Sequence, residues 1–261
     1  MPNILQRLTI SIVVLAGVAS LGGLIVPNLY RDNAFYKAAW QANDLITILL
    51  TPGVLISCHY YRRGNASAQL VWLGLMLYMF YNYAFYLLGA AFNWFFLIYA
   101  ALFTLSIYAL LIGLREIDGS AAPNKYLSPL TRKVIIAFLS LVAIPLASVE
   151  LGQCWAFIVS GAPPEIPILI MALDLTLVLP NTILAALLLA RKRRWGTILS
   201  AMMLVKSFTY GLVLVTGTTF IAITGIGPWD PLLPYYIFVS AGGLIFLLIL
   251  LKETPQNNIN K

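Results

Sequence analysis

The stretch Ala172–Tyr210, ALDLTLVLPNTILAALLLARKRRWGTILSAMMLVKSFTY, decides how the chain is read. One apolar run carries Asp174, Pro180 and Asn181. A second carries Lys206. Between them stands the basic cluster Arg191-Lys192-Arg193-Arg194. Two apolar runs joined by a tight basic turn read as two membrane spans entering and leaving one face. A span needs about 20 apolar residues to cross a ~30 Å hydrocarbon core. An ionisable side chain within such a span is costly, so Asp174 and Lys206 are candidate functional residues.

The same logic extends outward. Of the 261 residues, 61% are hydrophobic and 10% charged, against roughly a quarter charged in a soluble domain. Most of the surface must therefore meet something other than water. Eight spans are expected, at about 8–27, 41–60, 69–90, 94–114, 134–158, 166–190, 197–223 and 234–251. The net charge is +7. With spans present, it orients the chain and does not point to nucleic acid. Arg7, Arg62, Arg63, Arg115, Lys125, Arg132, Lys133, the 191–194 cluster, Lys252 and Lys261 make 13 of the 16 basic residues. All fall on one side of the eight-span arrangement, whereas Arg31 and Lys37 fall on the other. This positive-inside pattern puts both termini in the cytoplasm.

Arg7 followed by an apolar run and Val18-Ala19-Ser20 resembles a signal peptide. The run continues to Val26, longer than the usual 7–15 residue core of such a signal, so an uncleaved first span is expected. The outer link from Pro27 to Asn43 holds Tyr30, Phe35, Tyr36 and Trp40. These suit an interfacial aromatic belt or a lid over an outer pocket. Residues 119–132, with Gly119, Pro123 and Pro129, read as a cytoplasmic linker between a first half, 1–118, and a second, 133–261.

The halves share a pattern. Asn43-Asp44-Leu45, Pro52 and Arg62-Arg63-Gly64 parallel Leu173-Asp174-Leu175, Pro180 and Arg193-Arg194-Trp195-Gly196. Tyr81-Asn82-Tyr83 then parallels Phe208-Thr209-Tyr210, which sets Met79 against Lys206. Both copies would hold four spans and start in the cytoplasm. The implied symmetry is a parallel 4+4 repeat about an axis along the membrane normal.

At about 1.5 Å per helical residue, Asp174 and Lys206 both fall near the midplane. They could form a locking salt bridge, or a binding or proton-relay site, or Lys206 could snorkel to the interface. Glu150 in the fifth span, Asp44 in the second and Asn82 in the third add polar groups in the outer half. Asn82 shares a helix face with Tyr78, Tyr81 and Tyr86. An outward-facing pocket formed by Asp44, Asn82, Glu150, Asp174 and Lys206 is one expectation. Plain interhelical hydrogen bonding is the other. Pro52 and Pro180 are expected to kink their helices. Cys58 and Cys154 fall at different depths, which disfavours a disulfide. His59 is the sole histidine, and no zinc or nucleophile-elbow motif occurs. No cofactor or metal is therefore expected.

Ala172-Leu173-Asp174-Leu175, Arg193-Arg194-Trp195-Gly196, Val205-Lys206 with Thr209-Tyr210-Gly211, and Tyr81 to Tyr86 carry a resemblance. Along nearly its whole length the chain resembles a family of bacterial multi-span hypothetical membrane proteins. The resemblance implies a bacterial inner-membrane location and no activity or substrate. The expected fold is thus an all-α polytopic bundle. The leading expected function is a small-solute transporter or permease with a midplane site, Glu150 serving as a proton-coupling carboxylate. A membrane-embedded enzyme acting on a lipid or isoprenoid, with Asp44, Glu150 and Asp174 as acid/base groups, is a second reading. A sensory or binding module without turnover is a third. The expected partners are the lipid bilayer and a small-molecule or lipid ligand.

Overall fold

The computed structural model describes residues 1–117, 127–164 and 166–254. Among these residues there are helices and no strands. Eight helices are long and apolar enough to cross a membrane, as a multi-pass protein requires. They are α1 (Asn3–Ile25), α2 (Ala34–Arg62), α3 (Ala66–Gly89), α4 (Phe96–Arg115), α5 (Pro129–Ser160), a composite sixth span, α8 (Arg194–Ile223) and α9 (Leu233–Lys252). The sixth span comprises α6 (Ile168–Leu173), a π-helical turn over Asp174–Val178, and α7 (Leu179–Ala190).

Capping moves two boundaries from where hydropathy put them. The Asn33 side chain accepts a hydrogen bond from the Tyr36 amide at 3.0 Å and starts α2 there. The outer link expected over 27–43 therefore shrinks to 26–33, and Phe35, Tyr36 and Trp40 are helical. Ser128 accepts from the Thr131 amide at 3.1 Å and starts α5 at Pro129, so the end of the expected linker 119–132 is helical too. The Glu253 carboxylate reinforces that start, accepting from the Ser128 amide and the Thr131 hydroxyl, each at 2.6 Å. Orphan amides and the helix dipole favour an anion at this position. Gly119, Pro123, Lys125 and Lys261 lie outside the described residues.

Two helices form the centre. In α3 and α8, 72% and 67% of the most apolar stretch is buried, against 28–44% for the other six. α3 packs on α2 and α4, with α1 lying on those two and reaching α3 through the Trp72–Thr9 hydrogen bond; around α8 stand α5, the sixth span and α9. Glycines let the inner helices meet closely. Gly74 of α3 lies on the Val205 side chain of α8, and Gly211 and Gly243 bring α8 and α9 into backbone contact at Ser240 and Phe208. A Cβ at any of the three would overlap its neighbour. In lipid, where apolar burial against apolar tails gains little, such close van der Waals packing holds helices together.

The prolines act differently in the two spans that carry them in parallel. Pro52 lacks the N–H that the Ile48 carbonyl would otherwise receive. The Thr51 hydroxyl donates to that carbonyl at 2.7 Å, and α2 continues. Ahead of Pro180 the ladder instead widens by one residue, and the Leu179 amide donates to the Asp174 carbonyl. Where a kink at Pro180 was expected, the span carries a π turn just before it, a feature frequent at functional sites.

Candidate functional site

The π turn begins at Asp174 and bears its carboxyl on the buried face of the sixth span. Lys206 lies twelve residues into α8, roughly 18 Å along its axis, on the same helix that fills the centre of the bundle. The two side chains are each 9% exposed, with Lys206 Nζ 4.0 Å from Asp174 Oδ1. The Tyr81 hydroxyl, reaching across from α3, donates to Asp174 Oδ1 at 2.7 Å. The Lys206 ammonium lies 4.1 Å from the ring centres of both Tyr81 and Tyr210. These rings meet edge-to-face at 4.9 Å. Aromatic faces attract a cation through their quadrupole, more strongly where water is excluded. Lys206 is therefore held by one carboxylate and two rings, and does not snorkel to an interface.

Glu150 of α5 is 1% exposed. Its carboxyl is within electrostatic reach of Asp174 and Lys206, while its Oε2 has no hydrogen-bond partner. A buried carboxylate oxygen without a donor is unusual and costly.

The pair lines a cavity of about 120 Å³ between the four helices of the second half. Its walls are Val142 and Leu146 of α5, Val178 and Thr182 of the sixth span, Ser207, Tyr210, Gly211 and Leu214 of α8, and Tyr235, Tyr236 and Val239 of α9. Tyr235 and Tyr236 are half-buried at the start of α9. Their hydroxyls donate to the Val142 carbonyl at 3.2 Å and to Asp230 Oδ2 at 3.3 Å. The cavity thus reaches from the start of α9, the outer end in the expected orientation, down to Lys206.

Asp44 and Asn82 are elsewhere. Asp44 takes the Tyr30 hydroxyl on Oδ2 at 2.5 Å and the Tyr86 hydroxyl on Oδ1 at 2.9 Å. Gly23 of α1 leaves the space this arrangement occupies. Burial, then the Asp44 charge, pushes the Tyr30 hydroxyl well above the ordinary phenol range, so it stays a donor. Asn82 accepts from Asn43 Nδ2 at 2.5 Å and donates to Thr47 Oγ1 at 3.3 Å, with Tyr78 bonded to the same threonine at 2.8 Å. The single pocket of five residues expected from the sequence is therefore divided. Asp174, Lys206 and Glu150 come together. Asp44 and Asn82 belong to two hydrogen-bonded clusters in the first half, with no part in the cavity wall.

Tyr81, Tyr210, Tyr235 and Tyr236 were not singled out for the site by sequence. Tyr210 follows Lys206 by one turn, a spacing that places both on one face; that spacing and the face Tyr81 shares with Asn82 were the available signals. Tyr30 and Trp40, read as belt or lid, are buried at 3% and 2% exposure against Tyr86. Phe35 and Tyr36 are exposed. Comparison with family models, with curated proteins and with solved structures found no match.

Proposed function

We propose that this multi-pass protein is a small-solute carrier of the permease kind, binding its solute at Lys206 and Asp174. The observation that carries the reading is the cavity itself. It runs from one end of the bundle towards the middle and ends on a buried ammonium. A purely locking salt bridge has no need of an adjoining cavity. Three ionisable groups gathered in an apolar bundle mark solute or proton pathways more often than they mark stability.

The arrangement of helices supports a 4+4 parallel repeat as the scaffold. Each half packs its first helix on its second and fourth, and its third on its second and fourth. The two third helices, α3 and α8, meet at the centre. The halves differ across the seam, where α2 packs along α8 while α3 touches the sixth span only near α6. Alternating access would then be a rocking of the halves about α3 and α8. Both termini are taken as cytoplasmic and the membrane as the bacterial inner membrane, on the basic clusters and on the family resemblance respectively. The enzyme reading with three carboxylates loses support because Asp44 is engaged by Tyr30 and Tyr86, apart from the other two.

The test is accessibility from each side. Cys58 and Cys154 are replaced by serine, and a single cysteine is placed at Ser207 in the cavity. A membrane-impermeant maleimide is then applied to right-side-out and inside-out vesicles. A carrier is labelled from both sides, in proportions that a bound solute changes. Labelling from one side only, whatever solute is added, would indicate a sensor or receptor instead.

A further inference from the structure

The cavity presents an unequal set of hydrogen-bonding groups. Lys206 offers three N–H donors. Its nearest carboxylate oxygen is 4.0 Å away, beyond hydrogen-bond range, and its other close partners are two ring faces. Among the described residues no acceptor lies within hydrogen-bond reach of Nζ. Asp174 Oδ1, by contrast, already holds the Tyr81 hydroxyl. The donors of Lys206 that face the cavity therefore call for an acceptor. Behind the pair, Glu150 Oε2 is a buried acceptor without a donor. The unfilled capacity there is for a proton.

We propose, resting on the small-solute reading above, that the cavity takes a small monocarboxylate together with one proton. The anion's oxygens lie on Lys206 Nζ and the proton resides on Glu150. Charge balance links the two events. Asp174, Glu150 and Lys206, all ionised, leave one excess negative charge in a water-poor interior. Adding an anion alone would double it. Adding the anion with a proton on Glu150 leaves the total unchanged. No bond beyond O–H is made or broken, and the proton comes from water.

A cationic solute fits less well. The two aromatic faces it would use are occupied by Lys206, and Asp174, the carboxylate that lines the cavity, already stands beside the Lys206 ammonium. Size and wall chemistry restrict the tail. A volume of about 120 Å³ equals roughly four waters at ~30 Å³ each, room for an acid of a few carbons. Val142, Leu146, Val178, Leu214 and Val239 give that tail an apolar wall. Ser207, Thr182 and the phenols of Tyr210, Tyr235 and Tyr236 are the polar exceptions.

The groups facing Glu150 are Asp174 on the sixth span and Lys206 on α8, with Tyr81 and Tyr210 behind them. On the cavity's α9 side are Tyr235 and Tyr236, with Asp230 at its mouth. Cys154 stands one turn along α5 itself. Lys206 is the only basic residue of this set, so no second cation substitutes for the proton.

The experiment is calorimetric titration of the full chain in detergent micelles. Sodium acetate, propionate and butyrate are compared with ethyl-, propyl- and butylammonium chloride. Buffers of different ionisation enthalpy count the protons. Carboxylates are expected to bind and the alkylammonium ions not to. On the alkaline side the affinity should fall about tenfold per pH unit, as linkage to one proton requires. Glu150→Gln, which mimics the protonated form, should bind propionate with a flat pH profile and no proton uptake. Lys206→Met should lose binding, but the comparison of probes uses the unaltered chain and stands without it. Tighter binding of alkylammonium ions would overturn the solute class while leaving a solute site in place. Wild-type pH dependence in Glu150→Gln would overturn the role of Glu150. Binding of none of the six probes, together with one-sided cysteine labelling, would overturn the carrier reading itself. Binding of none with two-sided labelling would overturn only the carboxylate.

Discussion

Removing Lys206 is expected to damage the bundle more than removing Asp174, and removing both less than removing either. The separation of 4.0 Å corresponds to an attraction of about 4 kcal/mol at an effective dielectric constant near 20. Breaking one side of a buried pair typically costs ~3–5 kcal/mol, because the other charge is left without a partner. The surroundings rank the two single variants. In Lys206→Met, Asp174 and Glu150 face each other with no cation between them. In Asp174→Asn, Lys206 keeps the faces of Tyr81 and Tyr210, worth ~0.5–2 kcal/mol, and the field of Glu150. In the double variant only Glu150 remains, and a lone carboxyl can take a proton. The assay is equilibrium unfolding in mixed micelles by a denaturing detergent, followed by tryptophan fluorescence. The coupling energy comes from the cycle of four proteins. A double variant no more stable than the worse single variant would refute direct pairing. Asp174→Asn worse than Lys206→Met would refute the part given to the two tyrosines and Glu150.

Thr51→Val should destabilise the protein by ~1–3 kcal/mol, the cost of leaving the Ile48 carbonyl without a donor, although Val matches the shape of Thr and suits a helix facing lipid; the same micelle unfolding assay measures it, and an unchanged stability would mean the Pro52 gap is satisfied without Thr51. At the end of the bundle, burial works to raise the Glu253 carboxyl, but hydrogen bonds from Thr131 and Ser128 outweigh it and hold it below the ordinary 4.5. Its contribution is therefore fully present above 4.5 and lost as pH falls through the lowered value, so amide protection over Ser128–Arg132, relative to the intrinsic exchange rate at each pH, should fall below pH 4.5 in the wild type, while in Glu253→Gln it should not change with pH there.

The spans were legible because hydropathy integrates over about 20 residues, and no short-range detail can reverse it. Their ends were less so. Asn33 and Ser128 start helices by single side-chain bonds, which average hydropathy does not register. The pair was legible for a similar reason, since opposite charges within neighbouring apolar runs have few places to go. Its partners were not. Whether Tyr81 of α3 reaches Asp174 depends on the rotation and register of two helices that are not neighbours in sequence. A face containing Tyr78, Tyr81, Asn82 and Tyr86 does not say which member points to which half. In fact they divide: Tyr81 joins the second half, while Tyr78, Asn82 and Tyr86 turn to α2.

The parallel between Asp44 and Asp174 changes its meaning once these contacts are known. Met79 stands where Lys206 would stand, so a repeat would leave Asp44 without a tethered cation. It is instead solvated by two phenols that donate to its two oxygens. Charge-assisted bonds of this kind offset much of the cost of burying a carboxylate, and they seal it against other ligands. The second half has the reverse arrangement. Its aspartate has one phenol, its cation is held by rings that form no hydrogen bond to it, and a cavity lies alongside. The half that carries the lysine thus has the open arrangement, and the half with methionine at the parallel position has the closed one. On the proposed carrier reading, that difference would leave one half as the frame and the other as the half that binds.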